Sequence, residues 1–189
     1  MVKRGVPLIA KDQADIWEHI KPILAKNRYL IFLIELIIIL SFINSHLFTL
    51  AVVKGDSMYP TLSDRDIVLV SCSNQMPERG DIVLAHAALD EMDRYIVKRV
   101  IAVAGENITI DYSSNVIYVN GKEIPEPYIC YTQTDPMKPR NGTSLVEYLV
   151  PADSFFVLGD NRNFSTDSRD SKIGYINKNE IVGIVRAAF

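Results

Sequence analysis

"RYIVKRVIAVA", residues 94 to 104, decides the fold class, because its β-branched residues form an apolar run that is typical of a β-strand. Successive side chains of a strand point to opposite faces, so Lys98 shares a face with Ile96 and Val100 while Arg99 lies on the other. At least one of these two charged side chains must therefore meet apolar neighbours. The alternative is that both extend to water from a half-exposed strand.

Similar short apolar runs lie on both sides of this stretch, at residues 66–70, 81–85, 108–124, 154–160 and 180–189. Within residues 108–124, Asn120-Gly121 predicts a type I′ hairpin, since both central residues of that turn need positive φ. The polar, proline-containing residues 125–149 predict a loop-rich insertion. The sequence therefore predicts a mainly β domain, a mixed β-sheet or barrel, over residues 54–189.

The apolar segment before this domain, residues 29–53, predicts one N-terminal transmembrane helix. Between Tyr29 and Ile43 its only polar residues are Glu35 and Ser41, and about 20 residues suffice to cross the hydrocarbon core. We interpret Glu35 as a tolerated charge that reaches the headgroups or becomes protonated, rather than as a functional group. The run is too long, and its preceding tail too mixed, for a cleaved signal peptide.

The tail, residues 1–28, contains an excess of positive residues, which predicts that it is cytoplasmic. The anchor would then place residues 54–189 outside the cytoplasm. Apolar residues at helical spacing within residues 12–24 predict a short interfacial helix.

Composition excludes several classes of function. The formal net charge is -3, whereas a domain that neutralises phosphates is usually basic, so a nucleic acid is disfavoured as partner. Three scattered histidines and two cysteines form no metal-ligand pattern, and no glycine-rich phosphate loop occurs, so we expect no metal and no cofactor. We interpret Cys72 and Cys130 as free thiols, although the sequence leaves their pairing open.

"KGDSMYPTL", residues 54 to 62, contains a candidate nucleophile, Ser57. A serine nucleophile needs a base, which is usually a histidine. The candidate histidines, His46 and His86, lie in no recognisable motif. Lys98 could serve instead, because burial disfavours the ammonium and lowers the pKa of a lysine. The alternative is that Ser57 is an ordinary loop hydroxyl.

"GDNRNFSTDSR", residues 159 to 169, concentrates charged and hydroxyl side chains directly after an apolar strand. Asp167 and Arg169 could form an ion pair that holds this loop, while Ser165 hydrogen-bonds a nearby amine. Aspartate and asparagine also stabilise turns, so bracing of the loop is the competing explanation for the same pattern.

Together these stretches resemble the bacterial type I signal peptidases, which are membrane-anchored Ser-Lys endopeptidases. The resemblance spans roughly residues 30–189 and rests on "SMYPTL" at 57–62, "GDIV" at 80–83, "KRVIAVAGE" at 98–106 and "GDNRNFSTDSR" at 159–169. The single span and short outer domain look like the Gram-positive form. Ala102 and Ala104 depart from the family pattern, and Gly55 stands where some members have a serine that helps to bind the oxyanion.

The resemblance implies a mechanism in which Ser57 is the nucleophile and Lys98 the general base of an acyl-enzyme pathway without metal or cofactor. It implies that Ser165 orients the lysine amine and that the remaining motif residues support the site: Asp160, Arg162, Asp167 and Arg169. The implied substrates are exported preproteins with small residues at positions -1 and -3 of the signal peptide. The implied pocket walls are Val53, Met58, Leu62, Ile96 and Val97, beside a lipid bilayer. Plain packing in the core is the competing explanation for these five residues.

Two other functions stay open at this point. The chain could be a non-enzymatic surface protein whose motifs only brace a β fold. It could also be a self-cleaving regulator with a related Ser-Lys domain, although such a regulator would need a DNA-binding N-terminus. The preprotein clients and the oligomeric state do not follow from the sequence.

Overall fold

A computed structural model describes residues 21–22, 26–89, 92–129, 136–139 and 142–189. The predicted interfacial helix falls largely outside the described residues, and so does Cys130. The chain divides into two units, with the boundary between His46 and Leu47.

The first unit contains helix α1, Arg28–Leu47, except for its last residue. Its large apolar side chains are exposed nearly all along the described part, at Tyr29, Leu30, Phe32, Leu33, Ile34 and 36–40. No helix in the described part of the chain has both the length and the apolar character needed to cross a membrane.

The second unit is built from β-strands joined by short turns. The described residues form β1 Phe48–Val52, β2 Ile67–Ser71, β3 Ile82–Leu89, β4 Met92–Val103, β5 Asn107–Asp111, β6 Val116–Val119, β7 Lys122–Glu123, β8 Leu145–Leu149, β9 Ser154–Leu158, β10 Ile176–Asn177 and β11 Ile181–Ala188, with a short 3₁₀ helix at Lys178–Glu180. The described pairings between these strands are all antiparallel. The prediction of a mainly β domain is confirmed. The predicted transmembrane character of the helix before it is not.

Strand β1 corrects the predicted end of the apolar helix. Residues 48–52 pair with β2 in continuous register, from Phe48 opposite Ser71 to Val52 opposite Ile67. A short apolar run does not by itself distinguish a strand from the end of a helix. Pairing with a neighbouring strand therefore determined the conformation of these five residues.

Seven strands form the larger sheet, in the order β1-β2-β11-β3-β4-β9-β10, and four form the smaller, in the order β7-β6-β5-β8. The predicted hairpin is confirmed, because Asn120 and Gly121 have φ of 51° and 74° between paired Val119 and Lys122. The predicted loop-rich insertion is wrong at its end. Residues 145–149 form β8, which pairs with β5.

Strand β4 lies inside the larger sheet, between β3 and β9. The two charged residues in its second half are buried, Lys98 with 5% and Arg99 with 9% exposure, next to fully buried Val100 and Ile101. The two side chains therefore do not extend to water from a half-exposed strand. This burial on both faces sets the electrostatics of the candidate site.

Candidate active site

Ser57 and Lys98 meet although 41 positions separate them in the chain. Ser57 lies in the turn that follows β1, and Lys98 is held within β4. The Lys98 amine lies 2.8 Å from Ser57 Oγ and donates a second hydrogen bond, of 2.9 Å, to the Val97 carbonyl. The geometry places an amine within proton-transfer distance of a hydroxyl.

The environment of Lys98 favours its neutral form. Burial lowers its pKa from 10.5 to about 8, although the negative charges of Asp167 and Asp160 act in the opposite direction. Roughly a tenth of the amine is therefore unprotonated at pH 7, far more than for an ordinary lysine. An unprotonated amine at this distance can accept the proton of the Ser57 hydroxyl.

Asn161 fixes the backbone of the turn that presents Ser57. Its N–H donates to the Ser57 carbonyl at 3.0 Å, and its side-chain amide donates to the Asp56 carbonyl at 3.0 Å. Sequence reasoning did not single out Asn161, whose only signal was its position within the 159–169 stretch. The contact bridges parts of the chain more than a hundred residues apart.

Gly159 is packed so closely against the site that no side chain fits there. A Cβ at this position would lie 2.4 Å from the Ser57 carbonyl oxygen and 2.2 Å from Ser165 Oγ. Both distances are shorter than real Cβ contacts, and one neighbour is backbone, so something must move. Glycine is therefore what allows these two serines to approach the start of the motif loop.

We expect Gly159→Ala to lower kcat by about 100-fold, because the displaced Ser57 backbone shifts the hydroxyl away from Lys98. Steady-state kinetics with a preprotein substrate measure this, with circular dichroism to establish that the variant is folded. Gly121→Ala, in the β6–β7 turn of the smaller sheet, is the control for added bulk, since a Cβ there meets nothing within 4 Å, although its φ of 74° adds strain. Parent kcat in folded Gly159→Ala would contradict this assignment of close packing.

Asp167 and Arg169 form a fully buried, bidentate ion pair. Arg169 Nε and Nη2 each lie 2.8 Å from one carboxylate oxygen of Asp167, which also accepts the Gly159 N–H at 3.1 Å. Burial works against ionisation, but the hydrogen bonds and charge of Arg169 outweigh it and hold the pKa of Asp167 below its ordinary value. A hydrogen bond from the buried Ser165 contributes in the same direction.

Asp160 is paired with Arg99, a partner that sequence reasoning missed. Arg99 Nε donates to Asp160 Oδ1 at 2.8 Å, and Nη2 donates to Oδ2 at 2.6 Å. Thr61 donates to the same carboxylate at 2.5 Å, and Arg99 Nη1 reaches the Gly80 carbonyl at 2.8 Å. The sequence feature that could have indicated this pair is the position of Arg99 in β4, on the face opposite Lys98. A guanidinium buried there needs a carboxylate.

Arg162 is equally buried and forms an ion pair with Glu126. The family resemblance implied that Arg162 supports the site, but it named no partner for this side chain. Glu126 lies in the segment predicted to be a loop-rich insertion, where no pattern indicated an acidic residue directed inward.

A groove of about 1030 Å³ leads to Ser57 and Lys98 between β1 and the first half of β4. Of the predicted pocket walls, Val53, Met58, Ile96 and Val97 line it. Leu62 does not line it and instead packs in a buried apolar cluster. The size and polarity of the apolar side chains near Ser57 do not indicate which of them face the groove and which are directed into the core.

Two strand edges border this groove. In the described residues β1 pairs only with β2, and β4 begins to pair with β9 at Arg99, after the part that lines the groove. Their outer backbone groups are therefore available to an extended peptide. The geometry suits a substrate that binds as an added strand next to Ser57.

The backbone near Ser57 offers a donor for a developing oxyanion. Within the described residues, the Ser57 N–H donates to no protein acceptor. Gly55, with φ of 79°, donates its own N–H to Asp64 at 2.7 Å, so that group is already engaged.

His86, considered above as another base, packs edge-on against the ring of Tyr95.

Comparison with known proteins gives consistent matches. The family model described as "Signal peptidase, peptidase S26" matches residues 26–189. Signal peptidase I of Bacillus amyloliquefaciens is 38% identical over 154 residues, which cover 78% of this chain and 76% of the relative. Signal peptidase IB of Staphylococcus aureus is 35% identical over 165 residues, which cover 80% and 83% respectively.

A crystal structure of a signal peptidase I from Enterococcus faecalis V583 is 28% identical, with a TM-score of 0.48. The alignment covers 60% of this chain and 100% of that one.

Proposed function

This chain belongs to the signal peptidase family, peptidase S26, and from that membership we propose that Ser57 and Lys98 perform its peptide-bond cleavage. As a type I signal peptidase it is a serine endopeptidase that acts on exported preproteins. The observation that supports the assignment of the two residues is the 2.8 Å contact between a buried lysine amine and Ser57 Oγ.

In the proposed reaction, neutral Lys98 takes the Ser57 proton as Oγ attacks the scissile carbonyl carbon. The Ser57 N–H stabilises the oxyanion, and one good donor of this kind contributes about 3 to 4 kcal/mol. The protonated lysine gives its proton to the departing amine, which leaves an acyl-enzyme. Lys98 then deprotonates a water molecule, and hydrolysis of the ester restores Ser57.

The buried groups around this pair position it in the proposed mechanism. Ser165 orients the lysine amine, and its burial beside Gly159 supports that role. The Asp167–Arg169 and Asp160–Arg99 pairs hold the loop that packs against Ser57. The negative charges of Asp167 and Asp160 also keep the pKa of Lys98 higher than burial alone would leave it.

We propose that substrates bind as an extended strand with small residues at positions -1 and -3. The groove is lined near Ser57 by Val53, Met58, Ile96 and Val97, and two of these walls are core residues with almost no exposure. Walls that are packed from behind cannot retract to admit a large side chain. This rigidity supports selection of small residues next to the scissile bond.

The test uses detergent-solubilised protein and a preprotein with an Ala-x-Ala cleavage site, with the products located by mass spectrometry. We expect cleavage after the -1 alanine, and a fall of about 10- to 100-fold when that alanine is replaced by phenylalanine. Efficient cleavage after phenylalanine would contradict the proposed small-residue pocket. Shortening of the chain itself without preprotein cleavage would favour the self-cleaving regulator.

We further propose that the apolar segment that begins at Tyr29 attaches the enzyme to the cytoplasmic membrane, with a cytoplasmic tail at residues 1–28 and an extracytoplasmic β domain. The exposed apolar side chains of α1 and the positive residues of the tail support this topology. Extraction of cell membranes with alkaline carbonate should leave the protein in the pellet. Protease added to spheroplasts should digest the β domain, and a protected β domain would contradict the proposed orientation.

A further inference from the structure

The segment Pro125–Ile129, which follows β7, places an acidic side chain against the back of the candidate site. Arg162 Nη1 donates to Glu126 Oε2 at 2.9 Å, and Arg162 Nη2 donates to the other carboxylate oxygen. The exposed fractions of the two side chains are 1% for Arg162 and 5% for Glu126. No step of the proposed mechanism uses Glu126, and a two-pronged pair of this kind fixes both partners geometrically.

Arg162 connects this pair to the nucleophile. Its Nε donates to the Gly159 carbonyl at 3.1 Å, and Gly159 is the residue packed against the Ser57 carbonyl. Asn161, which directly precedes Arg162, donates its N–H to that same Ser57 carbonyl at 3.0 Å. The orientation of the Arg162 guanidinium therefore affects the turn that holds the Ser57 backbone in place.

Tyr128 links the same segment to the lysine side of the site. Its hydroxyl donates to Glu126 Oε1 at 3.1 Å, and its ring lies under the Arg99 guanidinium with 3.9 Å from Cζ to the ring centroid. Burial and the charge of Glu126 raise the pKa of Tyr128, so its hydroxyl stays protonated and acts as a donor. Arg99 follows Lys98 directly in β4.

We propose that Glu126 is a positioning residue for the Ser57–Lys98 reaction, acting through Arg162, and that Tyr128 orients its carboxylate. The inference rests on the proposed function of Ser57 and Lys98. An error of about 1 Å in the placement of reacting groups lowers the rate by roughly 100-fold. Loss of the Glu126 charge would free the Arg162 guanidinium to reorient, and the 159–162 turn with it.

The experiment measures kcat and KM for an Ala-x-Ala preprotein with full-length Glu126→Gln and Tyr128→Phe, at a temperature where thermal melts show each variant to be folded. We expect Glu126→Gln to lower kcat by about 10- to 100-fold with KM nearly unchanged, and Tyr128→Phe to lower kcat several-fold. Glu147→Gln is the matched control, because Glu147 is exposed in β8 of the smaller sheet. Its kcat should equal that of the parent.

A double variant separates positioning from general stabilisation. If Glu126 acts through Arg162, adding Glu126→Gln to Arg162→Gln should lower kcat no further than Arg162→Gln alone. Parent-like kcat in folded Glu126→Gln, or full additivity in the double variant, would overturn the inference. If Glu126→Gln does not fold, Glu126→Asp and Tyr128→Phe decide, and parent kcat in both would overturn it. Failure of the proposed function would appear separately, as undiminished cleavage by Ser57→Ala.

Discussion

Replacing Lys98 with methionine is expected to abolish preprotein cleavage, with kcat/KM lower by at least about 10⁴-fold. Methionine has a similar length and suits the apolar surroundings of β4, so the fold should persist while the amine 2.8 Å from Ser57 is lost. Ser57→Ala should have an effect of the same size. Because two groups that act as a unit are not additive, the double variant should be no slower than either single one.

Gel assays of preprotein processing, followed over hours at high enzyme concentration, cover this range of rates. Lys122→Met is the matched control, because Lys122 is exposed in β7 of the smaller sheet and should not affect cleavage. Cleavage that survived in Lys98→Met would remove the lysine from its proposed role. His86→Ala would then be the next variant to measure.

Asp167→Asn is expected to lower the free energy of unfolding by about 3 to 5 kcal/mol, since it leaves the guanidinium of Arg169 buried without a carboxylate. For a chain of this size the loss corresponds to a fall in Tm of roughly 6 to 20 °C. The folded state depresses the pKa of Asp167, so its stabilisation is present above the ordinary carboxyl value. That stabilisation is lost as the pH falls below the ordinary value.

Thermal melts of the parent and of Asp167→Asn at neutral pH provide the comparison. Arg65→Gln is the matched control, because the Arg65 side chain is 90% exposed and its pair with Asp64 should contribute less than about 1 kcal/mol. An unchanged Tm in Asp167→Asn would show that the buried pair contributes nothing to stability. The same variant should also lower the pKa of Lys98, because the charge of Asp167 raises it.

Local patterns predicted most of the β domain correctly. Alternation and β-branched residues identified the runs that became β2, β3, β4, β9 and β11, and Asn120-Gly121 identified its hairpin. β1 was assigned to a helix because an apolar run of five residues is compatible with both conformations. Its strand conformation depends on pairing with β2, which is not a local property of the sequence.

The candidate site was predictable only where a motif contained its residues. Ser57 and Lys98 were identified from their motifs and from the apolar setting of β4, and the structure brings them together. Glu126 and Arg99 were missed as partners because their ion pairs form across 36 and 61 positions of the chain. No spacing rule predicts which buried arginine a distant carboxylate will meet.

The most direct test of a neutral Lys98 as the base is the pH dependence of kcat/KM for the parent enzyme. Since burial lowers the pKa of Lys98 to about 8, the active neutral form grows as the pH rises. We expect kcat/KM to increase about tenfold per pH unit below 8 and to reach a plateau above it. A profile with its midpoint near 6.5, the ordinary value for histidine, that disappeared in His86→Ala would contradict it.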